Sequence, residues 1–126
     1  MTQKNNSIRS AFQNAFNGFR SVLNSEKNAR IHLIATILVI ILASILLVSL
    51  TAWLWLCLAI VLVWMAELFN TAVEKICDLI EPNHNLVIKA SKDMAAAGVL
   101  LAALFSVVVG LVIFLPPLIE NFKKLF

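Results

Sequence analysis

Between Ile31 and Ala66 the sequence has no aspartate, glutamate, lysine or arginine, a gap in charge of 36 residues. Charge is scarce throughout, at 13% of the chain against 61% hydrophobic residues, and mean hydropathy is +0.93. A soluble domain of 126 residues could not hide that much apolar surface in one core, because small folds leave much of their surface exposed. The expected solvent for most of this single domain (residues 1–126) is lipid. Glycine is also scarce. With three glycines and no G-x-x-x-x-G-K-[ST], a glycine-rich loop that cradles phosphates is excluded. The two cysteines, Cys57 in mid-span and Cys77 toward the polar flank, read as small apolar fillers, and no disulfide is expected. The first thirty residues lack an apolar h-region, so no signal peptide is expected. There is no tandem repeat and no low-complexity segment. The net charge of +3 comes mostly from the flanks of the apolar runs, and no nucleic-acid partner is expected.

What is present is long apolar sequence. About 20 residues cross the hydrocarbon layer, so the uncharged run, continued to about Thr71, fits two spans, 31–49 and 52–72. A tight turn near Ser49-Leu50-Thr51 is expected between them, with Trp53 and Trp55 just beyond it, where aromatic residues favour the interface. Met94–Ile119 gives a third span, 94–115, expected to end at Pro116-Pro117. Lys4, Arg9, Arg20, Lys27 and Arg30 precede the first span, and Lys75, Lys89 and Lys92 lie between the second and third. Only Lys123 and Lys124 follow the last. That bias puts the N-terminus in the cytoplasm and the C-terminus outside, in the cytoplasmic membrane.

Ahead of the spans, Ser7 reads as an N-cap. Ile8, Phe12, Phe16, Phe19 and Leu23 share one helical side, with Arg9, Gln13, Asn17, Arg20 and Asn24 away from it. This predicts an amphipathic helix over 7–28, suited to the membrane surface. "SEKNAR" then places Glu26 and Arg30 one turn apart. "EPNHN" at 81–85 is a turn signal between a second helix reaching about Leu79 and a last helix starting near Leu86. Ala95, Ala96, Ala97 and Gly98 form a small-residue patch where another helix could approach. The fold class is all-α integral membrane: a surface helix followed by three transmembrane helices.

Chemistry is concentrated in "AELFNTAVEKICD". At about 100° per residue, Glu67, Asn70, Glu74 and Asp78 fall within roughly an 80° arc, a polar stripe that starts inside the apolar zone and climbs toward the cytoplasm. A carboxylate at bilayer depth normally faces protein or a water-filled cavity. Carboxylates a turn apart raise each other's pKa or recruit a cation, and hard oxygen ligands beside an amide suit Mg²⁺, especially on phosphates. Solvated acids at a helix end are the plain alternative for Asp78, though not for Glu67. A second group is Lys92-Asp93, where the third span begins: a lysine is a mobile point charge for phosphate oxygens, or simply a snorkelling anchor. Glu26 reaches the same level. The residues alone leave two functions open, an enzyme acting on phosphates or a small oligomeric membrane transporter or channel with an intramembrane carboxylate.

"ELFNTAVEKICD", "KASKDMAAAGVLL" and "GFRSVLNSEKNARIH" resemble the bacterial diacylglycerol kinase and undecaprenol kinase family, over about residues 8–115 and with the pattern E-x-x-N-[ST]-A-[IV]-E-x-x-x-D. The resemblance implies a three-span homotrimer that uses ATP and Mg²⁺ to phosphorylate a membrane lipid alcohol, undecaprenol favoured over diacylglycerol. It implies Glu67 as the general base, Glu74 and Glu26 as the carboxylates that hold Mg²⁺ and ATP, and Asn70 as the amide that orients them. Lys92 and Asp93 match a pair that binds nucleotide phosphates. "NARIH", with His32, resembles the undecaprenol kinases more than the diacylglycerol enzymes.

Overall fold

The computed structural model describes residues 8–83 and 85–125. Four helices follow one another: α1 Ile8–Ser25, α2 Lys27–Ile45, α3 Leu50–Ile80 and α4 Leu86–Leu125. The last three are long and apolar enough to cross a membrane. Their outer sides stay open, with Ile41, Leu58, Leu104 and Val112 among the exposed large hydrophobic residues. Lipid tails solvate such faces, whereas water would make them an aggregation surface.

Two apolar clusters hold the bundle, one toward each end of the spans. Near the α2–α3 turn, Ala43, Leu56 and Phe114 bring α2, α3 and α4 together, with Leu46, Trp53 and Ile113 against them. At the other end Val22, Ala29 and Trp64 join α1, α2 and α3. Ala29 and Ala43 are fully buried. Small residues at these points let backbones come close, the packing device available where apolar burial gives helices no net preference for one another over lipid. The most extensive pairing is α3 with α4.

Helix α1 docks by the second half of its apolar side. Val22 is buried and Phe19 lies on Trp64, ring centroids 4.5 Å apart, while Ile8, Phe12 and Phe16 remain exposed. Polar ties add to this: Lys75 Nζ donates to Ser21 Oγ at 3.0 Å. Arg30 donates from Nε to the Leu23 carbonyl at 2.9 Å and from Nη2 to that of Asn24 at 2.7 Å. Arg30 thus satisfies carbonyls left open at the C-terminus of α1. Glu26 and Arg30 are a turn apart as expected, but the arginine turns to α1 instead of to the glutamate.

Two expectations need correction. The α2–α3 turn lies at Leu46–Ser49, earlier than Ser49–Thr51. Its hydrogen bonds run from Leu47 N to Ser44 O (3.4 Å) and from Val48 N to Ala43 O (3.3 Å), the Schellman pattern, with Leu47 at φ 50° where glycine commonly sits. Ser49 is the N-cap of α3, its Oγ accepting from Ala52 N at 3.2 Å. Nor does α4 end at Pro116-Pro117; it runs through both to Leu125. Proline's φ is already helical. The two missing N–H donors, and the crowding of each ring against the carbonyl four residues back, are accommodated locally by helices at membrane depth. The start near Leu86 agrees with the structure, where Asn85 Oδ1 accepts from Val87 N at 2.8 Å and Ile88 N at 3.3 Å. Ser7 and His84 lie outside the described residues.

Candidate active site

The polar stripe of α3 faces inward from Glu67 to Glu74, while Asp78 at its end is exposed. Glu67 is 1% exposed and Thr71 likewise 1%, because this side of α3 meets α2 at His32 and α4 at its alanine-rich segment. Small side chains on α4 leave room. A cavity of about 330 Å³ opens there, bounded by Asn28, Ile31 and His32 of α2, by Glu67, Asn70 and Glu74 of α3, and by Ala96, Val99, Leu100 and Ala103 of α4.

Inside it, Asn70 Nδ2 donates to Glu74 Oε1 at 3.1 Å, which turns the amide oxygen away from Glu74. That oxygen and Glu67 Oε2 are both buried without a hydrogen-bond partner among the described residues. Buried polar atoms of this kind ordinarily find one, so two on the wall of one cavity mark a place suited to receive a ligand. His32 Nε2 stands 3.9 Å from Glu67 Oε2, beyond hydrogen-bond length. The backbone of His32 is held from the next turn, where Thr36 Oγ1 donates to its carbonyl at 2.8 Å and accepts from Trp64 Nε1 at 3.2 Å.

A second cavity, of about 390 Å³, lies where α3 ends and α4 begins, with Asp78, Glu81, Asn83, Lys89, Lys92 and Asp93 around it. Lys92 Nζ contacts Asp78 Oδ1 at 2.8 Å, and Lys89 Nζ contacts Asp93 Oδ2 at 2.6 Å. The hydrogen bond that Lys92 Nζ donates to Asp78 Oδ1 holds the ammonium above the ordinary lysine value, and Glu74 adds to this from farther off. The structure therefore brings Glu67, Asn70 and Glu74 into one cavity and places Lys92 and Asp93 in another, with Lys92 in electrostatic range of Glu74. Glu26 borders neither. It is half-buried at the N-cap position of α2, without a side-chain capping bond, in electrostatic range of Glu67. Among the described residues no three His, Cys, Asp or Glu side chains form a metal-binding group by themselves.

His32 and Asn28 were not expected in this cavity. A signal for them exists: Asn28, His32 and Thr36 recur every fourth residue, a polar line along an otherwise apolar helix. What the residue pattern lacks is the rotation of α2 that aims this line at Glu67.

Three long apolar helices enclosing a carboxylate–amide–imidazole centre define a polytopic membrane protein with a reactive polar site, the class to which fold and cavity assign the chain. The chain belongs to the prokaryotic diacylglycerol kinase family, which matches it over residues 13–114. It is 36% identical over 108 residues to the undecaprenol kinase of Bacillus subtilis (strain 168), covering 86% of this chain and 88% of that one. To a diacylglycerol kinase of Synechocystis sp. it is 38% identical over 111 residues, covering 87% of this chain and 63% of the relative. Membership makes the chain a lipid kinase, and favours an enzyme over a transporter or channel.

Proposed function

We propose that the chain transfers the terminal phosphoryl group of ATP, as its Mg²⁺ complex, to the hydroxyl of a membrane lipid alcohol, with undecaprenol ahead of diacylglycerol. The observation that carries this reading is Glu67: a carboxylate almost wholly buried at span depth, with one oxygen unpartnered, on the wall of a cavity. Burial of this sort is costly, and a functional role accounts for its presence.

Each residue has a part in that reaction. Glu67 Oε2 accepts the proton of the lipid hydroxyl as its oxygen attacks phosphorus. It does so at a depth the alcohol reaches without leaving the lipid layer. Asn70 holds Glu74 by its hydrogen bond and offers its amide oxygen to the same centre. Lys92 and Asp93 bind the nucleotide in the neighbouring cavity, the ammonium neutralising phosphate charge. Glu74 and Glu26 are the carboxylates for Mg²⁺. The donor set fits, since carboxylate and amide oxygens are what Mg²⁺ takes, and fewer than three protein acids suffice when phosphates complete the shell. When bound, the ion neutralises developing charge on the transferred group.

The binding sites are open-sided in one chain, and we infer a homotrimer in the cytoplasmic membrane. Its N-terminus lies in the cytoplasm and its C-terminus outside, with the apolar side of α1 on the membrane surface. The test is transfer of label from ATP to lipid by purified protein with Mg²⁺ and either alcohol. The expected outcome is labelled lipid phosphate with the wild type and a loss of turnover in Glu67→Gln of about 10²–10⁴-fold. Full turnover in that variant removes Glu67 as the base.

A further inference from the structure

Beneath the polar cavity lies a second, apolar one that the phosphoryl-transfer residues leave unused. It measures about 190 Å³, and His32, Ala35, Thr36, Ile60, Ala103 and Ser106 stand around it. His32 and Ala103 border the polar cavity as well, so the two adjoin at these residues. Apart from the His32 ring at its border with the polar cavity, its polar side chains are committed elsewhere. The Thr36 hydroxyl bonds the His32 carbonyl and Trp64 Nε1, and Ser106 Oγ donates to the carbonyls of Ala102 at 3.0 Å and Ala59 at 3.3 Å. A cavity offering water fewer than the roughly two to four partners it needs stays dry and takes hydrocarbon. Its deep end reaches Val39, which packs on the Ala43–Leu56–Phe114 cluster. Its side, at Ala35 and Val107, is exposed on the lipid-facing surface.

We propose that this cavity is the subsite for the first carbons of the substrate's hydrocarbon chain, and that it admits one chain, which makes the substrate a single-chain alcohol. The assignment rests on the proposed kinase reaction. Size sets the number of chains. A cavity of about 150 Å³ accommodates a six-carbon ring, so 190 Å³ holds one short run of carbons and not the two chains of a diacylglycerol. The shared wall sets the direction. A chain lying between Ile60 and Ala103 places its terminal hydroxyl at the shared wall of the two cavities, beside His32 and Glu67, and the remaining carbons leave past Val107 into the bilayer. Ala103 is then a specificity-determining residue, because its small side chain keeps the slot open.

The experiment fills the slot and varies the chain. Ala103→Phe, with Ala35→Leu as an independent second variant, is assayed on prenols of graded length and on diacylglycerol. The expected result is a rise in KM of roughly tenfold to a hundredfold for the longer prenols, the equivalent of a few buried methylenes. The shortest, water-soluble prenol is expected to change far less. A binding readout accompanies it. With Trp64 as the sole indole (Trp53→Phe, Trp55→Phe), a prenol brominated near its hydroxyl quenches fluorescence without ATP, and Ala103→Phe abolishes the quenching. If filling the slot changes all chain lengths equally, or alters the oligomeric state instead, a neighbouring protomer and not substrate occupies the cavity, and the proposal fails. Diacylglycerol preferred over every prenol by the wild type overturns it too. In either case the kinase reading stands, since only lipid left unlabelled by the wild type removes that.

Discussion

At the scale of single residues, Glu67 sets stability against function. Its carboxyl group is 1% exposed, with one oxygen unpartnered. Leaving a buried polar atom unsatisfied costs about 1–3 kcal/mol. Glu67→Leu is therefore expected to be folded and more stable than the wild type by about 1–2 kcal/mol, yet inactive. Thermal unfolding and kinase assays on the same preparation check both halves. Lys92 gives the converse case. Its contact with Asp78 is at a largely solvated site, where ion pairs contribute little to stability. Lys92→Ala should leave the melting temperature unchanged and lower kcat/KM for ATP. The raised pKa of Lys92 means that its ammonium stays charged at all pH below the ordinary lysine range. That charge is lost only as pH rises through the raised value, so this residue adds no pH dependence to activity near neutrality. A change in ATP affinity between pH 6 and 8 that vanished in Lys92→Ala would count against the assignment.

At the scale of elements, the α2–α3 turn carries the informative strain. Leu47 has φ 50° and is 86% exposed, so it contributes little packing and bears a left-handed backbone that costs an L-residue about 1–2 kcal/mol. Leu47→Gly relieves that strain and loses part of the gain to unfolded-state entropy, leaving a net stabilisation of up to about 1 kcal/mol. Leu47→Val, branched at Cβ, should destabilise by about 1 kcal/mol or more. Paired melting curves in one detergent check the order Gly > Leu > Val. The same turn shows what the residues could not tell. Three spans were legible because absence of charge over a set length is a one-dimensional property, and the start of α4 because Asn85 is a recognisable cap. The turn was misplaced because the residue in the left-handed position is leucine, with no glycine to mark it. The end of α4 was misplaced because two prolines were read as a stop in a setting that tolerates them. Within the site, Glu67, Asn70 and Glu74 were legible as neighbours because they share one helix, whose period fixes their relation. His32 and Asn28 face them from α2, and the pairing of faces between helices is set by packing at Ala29, Trp64 and Thr36. Sequence spacing does not encode it. Lys92 and Asp93 lie around a separate cavity from Glu67, Asn70 and Glu74, because the side to which a residue turns is a property of the bundle.

For the whole molecule, the two ends of the bundle are chemically unequal. One end carries the α3–α4 connection with Asp78, Lys89, Lys92 and Asp93 around a cavity, and the other carries the apolar Leu46–Ser49 turn. The proposed reaction works in one orientation only: if Lys92 binds ATP, its end must face the compartment that holds ATP, or a correctly folded molecule is idle. The charge bias, eight lysines and arginines at one side of the spans against two at the other, favours that orientation, since short basic flanks tend to be retained in the cytoplasm. In a background with Cys57→Ala and Cys77→Ala, Asn83→Cys should react with a membrane-impermeant thiol reagent only after the membrane is opened, and Asn121→Cys in intact cells. Moving the charge bias should move the activity. Replacing Lys75 and Lys89 with glutamine while adding lysines after Asn121 is expected to produce a mixture of orientations. The fraction of Asn83→Cys labelled from outside should then match the fraction of kinase activity lost to ATP supplied from the cytoplasmic side. Full cytoplasmic-side activity in molecules whose residue 83 is labelled from outside would separate Lys92 from the nucleotide site.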